Sequence, residues 1–354
     1  MSRVPASLAS FVRPTGISEN AIVSVFRVPP EVAGQRVDLF VHSQLHRTSR
    51  TRAQAIVRAN AYDAAGRRLK PNDRVQAEQR ILLWRPPWDE TPGAFDIPVV
   101  WEDEHLLAVA KPALLPVHPT ARYHRNTLIK LLQQARPDCE FLSLGHRLDR
   151  ETSGIILISK SRACDRALKR LFERREGVEK SYVALTRGVP SLIAGAGGDR
   201  GESDGAGHFR YERRMELDPT SGTGVKMRIR DAPDVPIAVT HIDVRETRRG
   251  SNGRAYALVR CGLETGRQHQ IRLHLASLGT PVVGDKLYGA DEGAFARAAD
   301  GRLTEIDRIA LEMDRHALHA ARLRLPHPIT GRALDVEAPL PTDIAAFWAA
   351  LPPP

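Results

Sequence analysis

The sequence predicts a two-domain chain of mixed strands and helices, with the smaller domain first. Three observations carry this expectation. At 354 residues the chain exceeds one average domain. The stretch Arg85-Pro86-Pro87-Trp88-Asp89-Glu90-Thr91-Pro92-Gly93 breaks regular structure and marks residues 85–97 as a linker. Before it, apolar residues recur at helical spacing, and after it short apolar runs alternate with helical stretches.

Taken in order, residues 1–28 lack clear periodicity and are expected to form a tail or an added strand. From Pro29 to about Trp84 a compact unit follows. Val37, Leu39, Phe40 and Val41, with Leu45, predict a short helix, and Ala55, Ile56 and Ala59 place a second over Thr51–Ala59. Gly66 and Pro71-Asn72-Asp73 mark turns, and Arg80–Trp84 suits a closing strand. In the second part, Val99–Trp101 and Leu106–Ala110 predict a hairpin, Thr127–Gln134 a helix and Gly154–Ser159 a buried strand. Ser161 is placed to cap a helix bearing Ala167, Leu168, Leu171 and Phe172. Tyr182–Leu185, Thr240–Val244 and Ala255–Cys261 predict further strands. Six glycines within residues 191–207 predict a flexible insertion. Gly266 precedes a helix expected from about Arg267 to Leu278.

The apolar fraction of 42% suffices for real cores. No apolar run reaches the roughly 18 residues that span a bilayer, and residues 1–20 lack a secretory pattern. Cys139, Cys164 and Cys261 are odd in number and widely spaced, which fits a reducing cytoplasm and no disulfide framework. A net charge of +10 favours a polyanionic partner. Its distribution is more telling. Between His42 and Lys70, seven cations (Arg47, Arg50, Arg52, Arg58, Arg67, Arg68, Lys70) face one acid, Asp63, the electrostatic footprint of a nucleic-acid contact.

Three segments carry candidate chemistry. His146-Arg147-Leu148-Asp149-Arg150-Glu151-Thr152-Ser153-Gly154 sets one carboxylate between two guanidiniums, directly ahead of a buried strand. A positive neighbour keeps an aspartate ionised, and arginines also hold phosphates. In Gly266-Arg267-Gln268-His269-Gln270-Ile271-Arg272-Leu273-His274, helical spacing puts Gln268 and Arg272 on one face. Arg272 there is either a surface charge or the fixed partner of Asp149. His269 and His274 are five apart and lack the glutamate of a zinc-binding helix, so no metal site is expected. Tyr182, in Lys180-Ser181-Tyr182-Val183-Ala184-Leu185, is by itself as much a core aromatic as a catalyst.

Together these segments resemble the RluA-type family of RNA pseudouridine synthases. Supporting pieces are Lys111-Pro112, Val117-His118-Pro119, Ala238-Val239-Thr240, Gly284-Asp285 and Tyr288-Gly289, in order from about residue 98 to 345. Residues 29–84 are similar to the alpha-L RNA-binding domain of a small-subunit ribosomal protein, through Arg36-Val37-Asp38, Thr48-Ser49-Arg50 and Ala53-Gln54-Ala55-Ile56. There the family's Val-Asn-Gly turn is replaced by Ala64-Ala65-Gly66.

The resemblance implies an α+β fold: a mixed, largely antiparallel central sheet with flanking helices over residues 98–350, plus a small α/β RNA-binding unit. It implies Asp149 as the catalytic aspartate, Tyr182 stacking on the base, and Arg147 filling the space of a flipped nucleotide. Arg272 would hold Asp149, and Arg150 would be a further RNA contact. No cofactor or metal is implied. The partner would be ribosomal RNA, with large-subunit RNA ahead of transfer RNA, and the protein a cytoplasmic monomer. Two competing readings are a non-catalytic RNA-binding or ribosome-assembly protein and a metal-dependent hydrolase. The first has no use for Asp149, Tyr182 and Arg272 together, and histidine spacing argues against the second.

Overall fold

The computed structural model describes residues 11–19, 21–45, 48–85, 95–119, 123, 125–192, 200–203 and 207–353. Most of the expected linker, much of the glycine-rich stretch 191–207, and Arg47 lie outside the described residues. The chain divides into two compact units, Met1–Thr91 and Pro92–Pro354.

In the first unit the segment before residue 28 is a strand. β1 (Ile22–Arg27) pairs antiparallel with β3 (Arg80–Arg85), which also pairs with the short β2 (Ala61–Tyr62). α1 (Val37–Gln44) and α2 (Arg50–Asn60) lay their apolar sides together on this sheet. Val37, Phe40, Val41 and Val57 join Ile81 and Leu83 in one buried cluster. Ser49 caps α2 by accepting from the Arg52 amide at 3.2 Å. Asp38 is fully buried between the helices. Hydrogen bonds from Arg36 (2.9 and 2.8 Å) outweigh that burial and, with Gln54 (2.7 Å), hold its carboxyl down to about 2. Arg50, Arg52 and Arg58 are exposed on α2.

The second unit is built, among the described residues, on one 12-stranded sheet that is antiparallel except for a single parallel pair. β4 (Val99–Glu102) and β5 (Leu106–Lys111) form the expected hairpin, and β5 pairs with β7 (Ser153–Ser159). Every residue of β7 is buried, because helices cover both faces of the sheet there. Ile155 and Leu157 pack against α4 (Arg162–Arg174) through Cys164 and Leu168. Ile156 and Ile158 point the other way, to Leu128 and Leu132 of α3 (Leu128–Ala135). Ser161 caps α4, accepting from the Cys164 amide at 3.2 Å.

Beyond β7 the sheet continues through β14 (Leu318–Pro326), β8 (Glu179–Arg187), β13 (Ala255–Leu263), β12 (Ile237–Arg249) and β10 (His208–Leu217). β14 was not expected from the sequence, and it is the strand that brings the motifs together. Ala320 sits opposite Gly154 on one side and Tyr182 on the other. The approach is so close that a Cβ on Gly154 would collide with the Ala320 backbone, and Gly154 has φ +114°. Gly154→Ala is therefore expected to cost about 2–4 kcal/mol, adding backbone strain to overpacking. Thermal unfolding reads this directly, and a Tm equal to that of the native chain would contradict it.

Candidate active site

Asp149 lies in the loop that feeds β7. The Thr152 amide donates to its carbonyl at 3.2 Å, and Leu148 is buried beside it. The carboxylate is about one-fifth exposed and faces a pocket of about 240 Å³, which Tyr182, Arg147, Arg267, His269 and Arg272 also line. Arg272 Nη1 donates to Asp149 Oδ2 at 2.9 Å. Oδ1 makes no hydrogen bond among the described residues, so one oxygen is held and the other is open to the pocket.

Burial works against ionisation of Asp149, yet its carboxyl is held down to about 2. The opposing influences, largest first, are His269, Arg272 and His316, together with the Arg272 hydrogen bond, and of these only Arg272 carries its charge at neutral pH. The flanking arginines, which the sequence reading credited, are not among the largest of those causes. Arg147 is exposed at the pocket wall, and Arg150 turns away to donate to the Tyr123 hydroxyl at 2.6 Å. Neighbours in sequence on a loop point apart, so adjacency did not translate into contact.

Arg272 is itself fixed from behind. Its Nε and Nη2 donate to the two oxygens of Asp285 at 2.6 and 2.9 Å, and Asp285 is fully buried. The Leu287 and Tyr288 amides donate to Asp285 as well, at 2.9 and 3.0 Å. Burial is again outweighed by Arg272, which keeps Asp285 ionised. A fully paired guanidinium with a planar fork is thus aimed at one oxygen of Asp149. Asp285 has no periodicity or spacing that marks it as a partner of Arg272. Only its place after Gly284 singles it out.

The helix carrying Arg272 begins later than expected. α5 spans Gln270–Ser277, and His269 precedes it with a left-handed backbone, φ +57°. The delay has a cause in Gln270. Its Oε1 accepts from the Arg267 amide (3.1 Å) and the Thr265 hydroxyl (2.6 Å), while its Nε2 donates to Val239 O (2.8 Å) and Thr240 Oγ1 (2.9 Å). Gly266–His269 is therefore held as a loop. Gln268 does not share a helix face with Arg272 and instead donates to Val225 O at 3.2 Å.

His269 and His274 diverge. His274 is buried and bonds Thr240 Oγ1 at 2.9 Å, whereas His269 Nε2 lies 3.8 Å from Asp149 Oδ2. The Tyr288 hydroxyl accepts from the Met227 amide (2.9 Å) and can then donate to His269 Nδ1 (3.0 Å). That assigns the proton of neutral His269 to Nε2, facing Asp149. Burial, then the Arg272 charge, lowers His269 to about 4, so it is neutral at pH 7. Sequence reasoning weighed this histidine only as a metal ligand.

Tyr182 stands on β8 with its ring largely buried. Burial first, and then the Asp149 charge, raise its phenol well above the usual value, so it stays protonated. An ionised carboxylate with one oxygen unbonded among the described residues, a neutral phenol and a cationic rim can support acid–base or covalent chemistry on an anionic substrate.

Comparison with known proteins gives that class a family. The family model for RNA pseudouridylate synthases matches residues 105–277. The chain is 31% identical over 330 residues to ribosomal large subunit pseudouridine synthase D of Xanthomonas campestris, covering 92% of this chain and 91% of the relative. It is 30% identical over 336 residues to ribosomal large subunit pseudouridine synthase C of Escherichia coli, covering 91% and 95%. Human RNA pseudouridylate synthase domain containing 1 superposes with a TM-score of 0.52 at 26% identity, covering 71% of this chain and 86% of that one. The chain belongs to the RNA pseudouridine synthase family, isomerases that convert uridine to pseudouridine.

Proposed function

We propose that this isomerase acts on uridines of large-subunit ribosomal RNA, with Asp149 starting the reaction. The observation that carries the reading is the 2.9 Å Arg272–Asp149 ion pair at the pocket wall, with Oδ1 of Asp149 unbonded among the described residues. The reaction breaks the bond from uracil N1 to the sugar, turns the base in place and joins its C5 to the same sugar carbon. The C5 proton leaves, and N1 gains one. Oδ1 opens this sequence by attacking the sugar, attacking the ring or removing a sugar proton. Each route needs the ionised state that Arg272 favours.

Tyr182 supplies a ring for the freed uracil to stack on. As a neutral phenol it serves proton transfer from C5 as a relay rather than as a resting base. Arg147, exposed at the pocket wall, takes the space that the flipped nucleotide leaves in the RNA stack. Flipping costs a few kcal/mol, which a stacking planar cation offsets. Residues 29–84 act as the separate RNA-binding unit, through Arg50, Arg52 and Arg58, with Arg47 outside the described residues. Its small helical pair on a three-stranded sheet supports that reading. Arg150, bonded to Tyr123, orders the catalytic loop in addition to any RNA contact.

The names of the relatives support large-subunit RNA as the substrate. Among the described residues no helix is long and apolar enough to cross a membrane. The test is to map pseudouridines in ribosomal and transfer RNA from cells with and without the gene. Loss of one or more sites in large-subunit RNA is the expected result. An unchanged large-subunit map with loss in transfer RNA would overturn the substrate assignment.

A further inference from the structure

α4 carries an arrangement that the isomerase reaction does not use. Its inward face, Cys164, Ala167, Leu168, Leu171 and Phe172, packs against the sheet. Its outward face repeats arginine every fourth residue, at Arg162, Arg166, Arg170 and Arg174, a stripe rising about 6 Å per step along the helix. Like charges four apart repel, so the stripe is not there to favour the helix. Arg162 rests over the Phe141 ring at 5.3 Å, and the neighbouring Lys169 pairs with Asp165 at 2.7 Å. Arg166, Arg170 and Arg174 are exposed and have no acidic partner among the described residues.

That distinguishes them from Arg260 and Arg324 in the larger groove on the same sheet, of about 570 Å³. There Arg260 pairs with Asp243 at 3.0 Å, and Arg324 with Glu179 at 3.3 Å. Location adds a second argument. α4 is seated on the start of the catalytic loop. Leu168 fills the space where a Gly145 side chain would go, and the Phe172 and His146 rings are 5.0 Å apart. Arg147 and Lys169 both act on His118, so the stripe adjoins the cationic wall of the pocket.

We propose that the outward face of α4 is a second RNA contact, in which Arg166, Arg170 and Arg174 hold phosphates of the same RNA whose uridine enters the Asp149 pocket. The partner is chosen by charge: an unpaired row of guanidiniums beside a pocket for a nucleotide fits a phosphate backbone. The stripe lies within the catalytic unit, so it is a contact separate from the basic helix of the first unit. The inference rests on the RNA reading of the Asp149 pocket.

The experiment compares R166Q/R170Q/R174Q with the native chain on a transcript of large-subunit ribosomal RNA. Binding is measured across salt, and single-turnover pseudouridine formation at saturating enzyme. A matched control, R249Q/R308Q/R332Q, removes three exposed charges elsewhere. The stripe variant is expected to bind at least about tenfold more weakly near 0.1 M salt, with a salt slope shallower by about 2, at roughly 0.7 per single-strand phosphate. Its saturated rate and thermal unfolding should match the native chain, and R166K/R170K/R174K should restore binding. Affinity and slope equal to the native chain, or an equal loss in the control, would overturn the proposal alone. No pseudouridine from the native chain would instead overturn the reading beneath it.

Discussion

Asp149→Asn is expected to abolish pseudouridine formation, by about 10⁴-fold or more, while RNA binding and fold persist. The substitution keeps the shape and removes the charge. Arg272 is not stranded, because Asp285 still takes two of its hydrogen bonds, at 2.6 and 2.9 Å. Stability at neutral pH should fall by about 2 kcal/mol, the part that ionised Asp149 supplies. The acid side carries a sign that can be checked. The folded-state value of Asp149, about 2, lies below the ordinary carboxylate value. Its contribution to stability is therefore present above pH of about 4 and lost as pH falls toward 2. The Asn variant should lack that part of the acid destabilisation. Activity of the native chain should show no acid limb from Asp149 between roughly pH 5 and 8. Substantial turnover by the Asn variant would remove Asp149 from the mechanism.

Arg272→Ala is expected to lose both activity and stability. The guanidinium holds Asp149 and also neutralises the fully buried Asp285. Removing one member of a buried pair leaves an uncompensated charge, at a cost of about 3–5 kcal/mol. It also relieves the pull that holds Asp149 low, so the carboxyl of Asp149 should move upward. The two effects separate in a double variant. Arg272→Gln with Asp285→Asn leaves no orphan charge there, so it should be more stable than Arg272→Gln alone and still nearly inactive. Recovery of activity together with stability in the double variant would make Arg272 purely structural.

The sequence carried the three motifs, and the structure explains why they converge. Asp149, Tyr182 and Arg272 are 33 and 90 residues apart along the chain, and Gly154, at the end of the Asp149 motif, flanks Ala320 of β14 opposite Tyr182. That strand escaped notice because His319, Arg322 and Arg324 interrupt its apolar pattern. β7 and the hairpin before it were legible because an unbroken apolar run is what a strand covered on both faces needs. α5 was drawn too early, since Gln270 ties the preceding loop to β12 by side-chain bonds that periodicity does not register. Asp285 and His269 stood inside quoted motifs, but nothing local marked them as partners of Arg272 and Asp149. Their roles depend on contacts made across the fold, as does the turn of Arg150 toward Tyr123.

Release of tritium from RNA carrying uridine labelled at C5 tests the central claim most directly, because that hydrogen must leave when the new carbon–carbon bond forms. With large-subunit ribosomal RNA, the native chain should release label in step with pseudouridine appearing, and the Asp149→Asn chain should release none. Release at an equal rate from both chains, or none from either, would contradict the account.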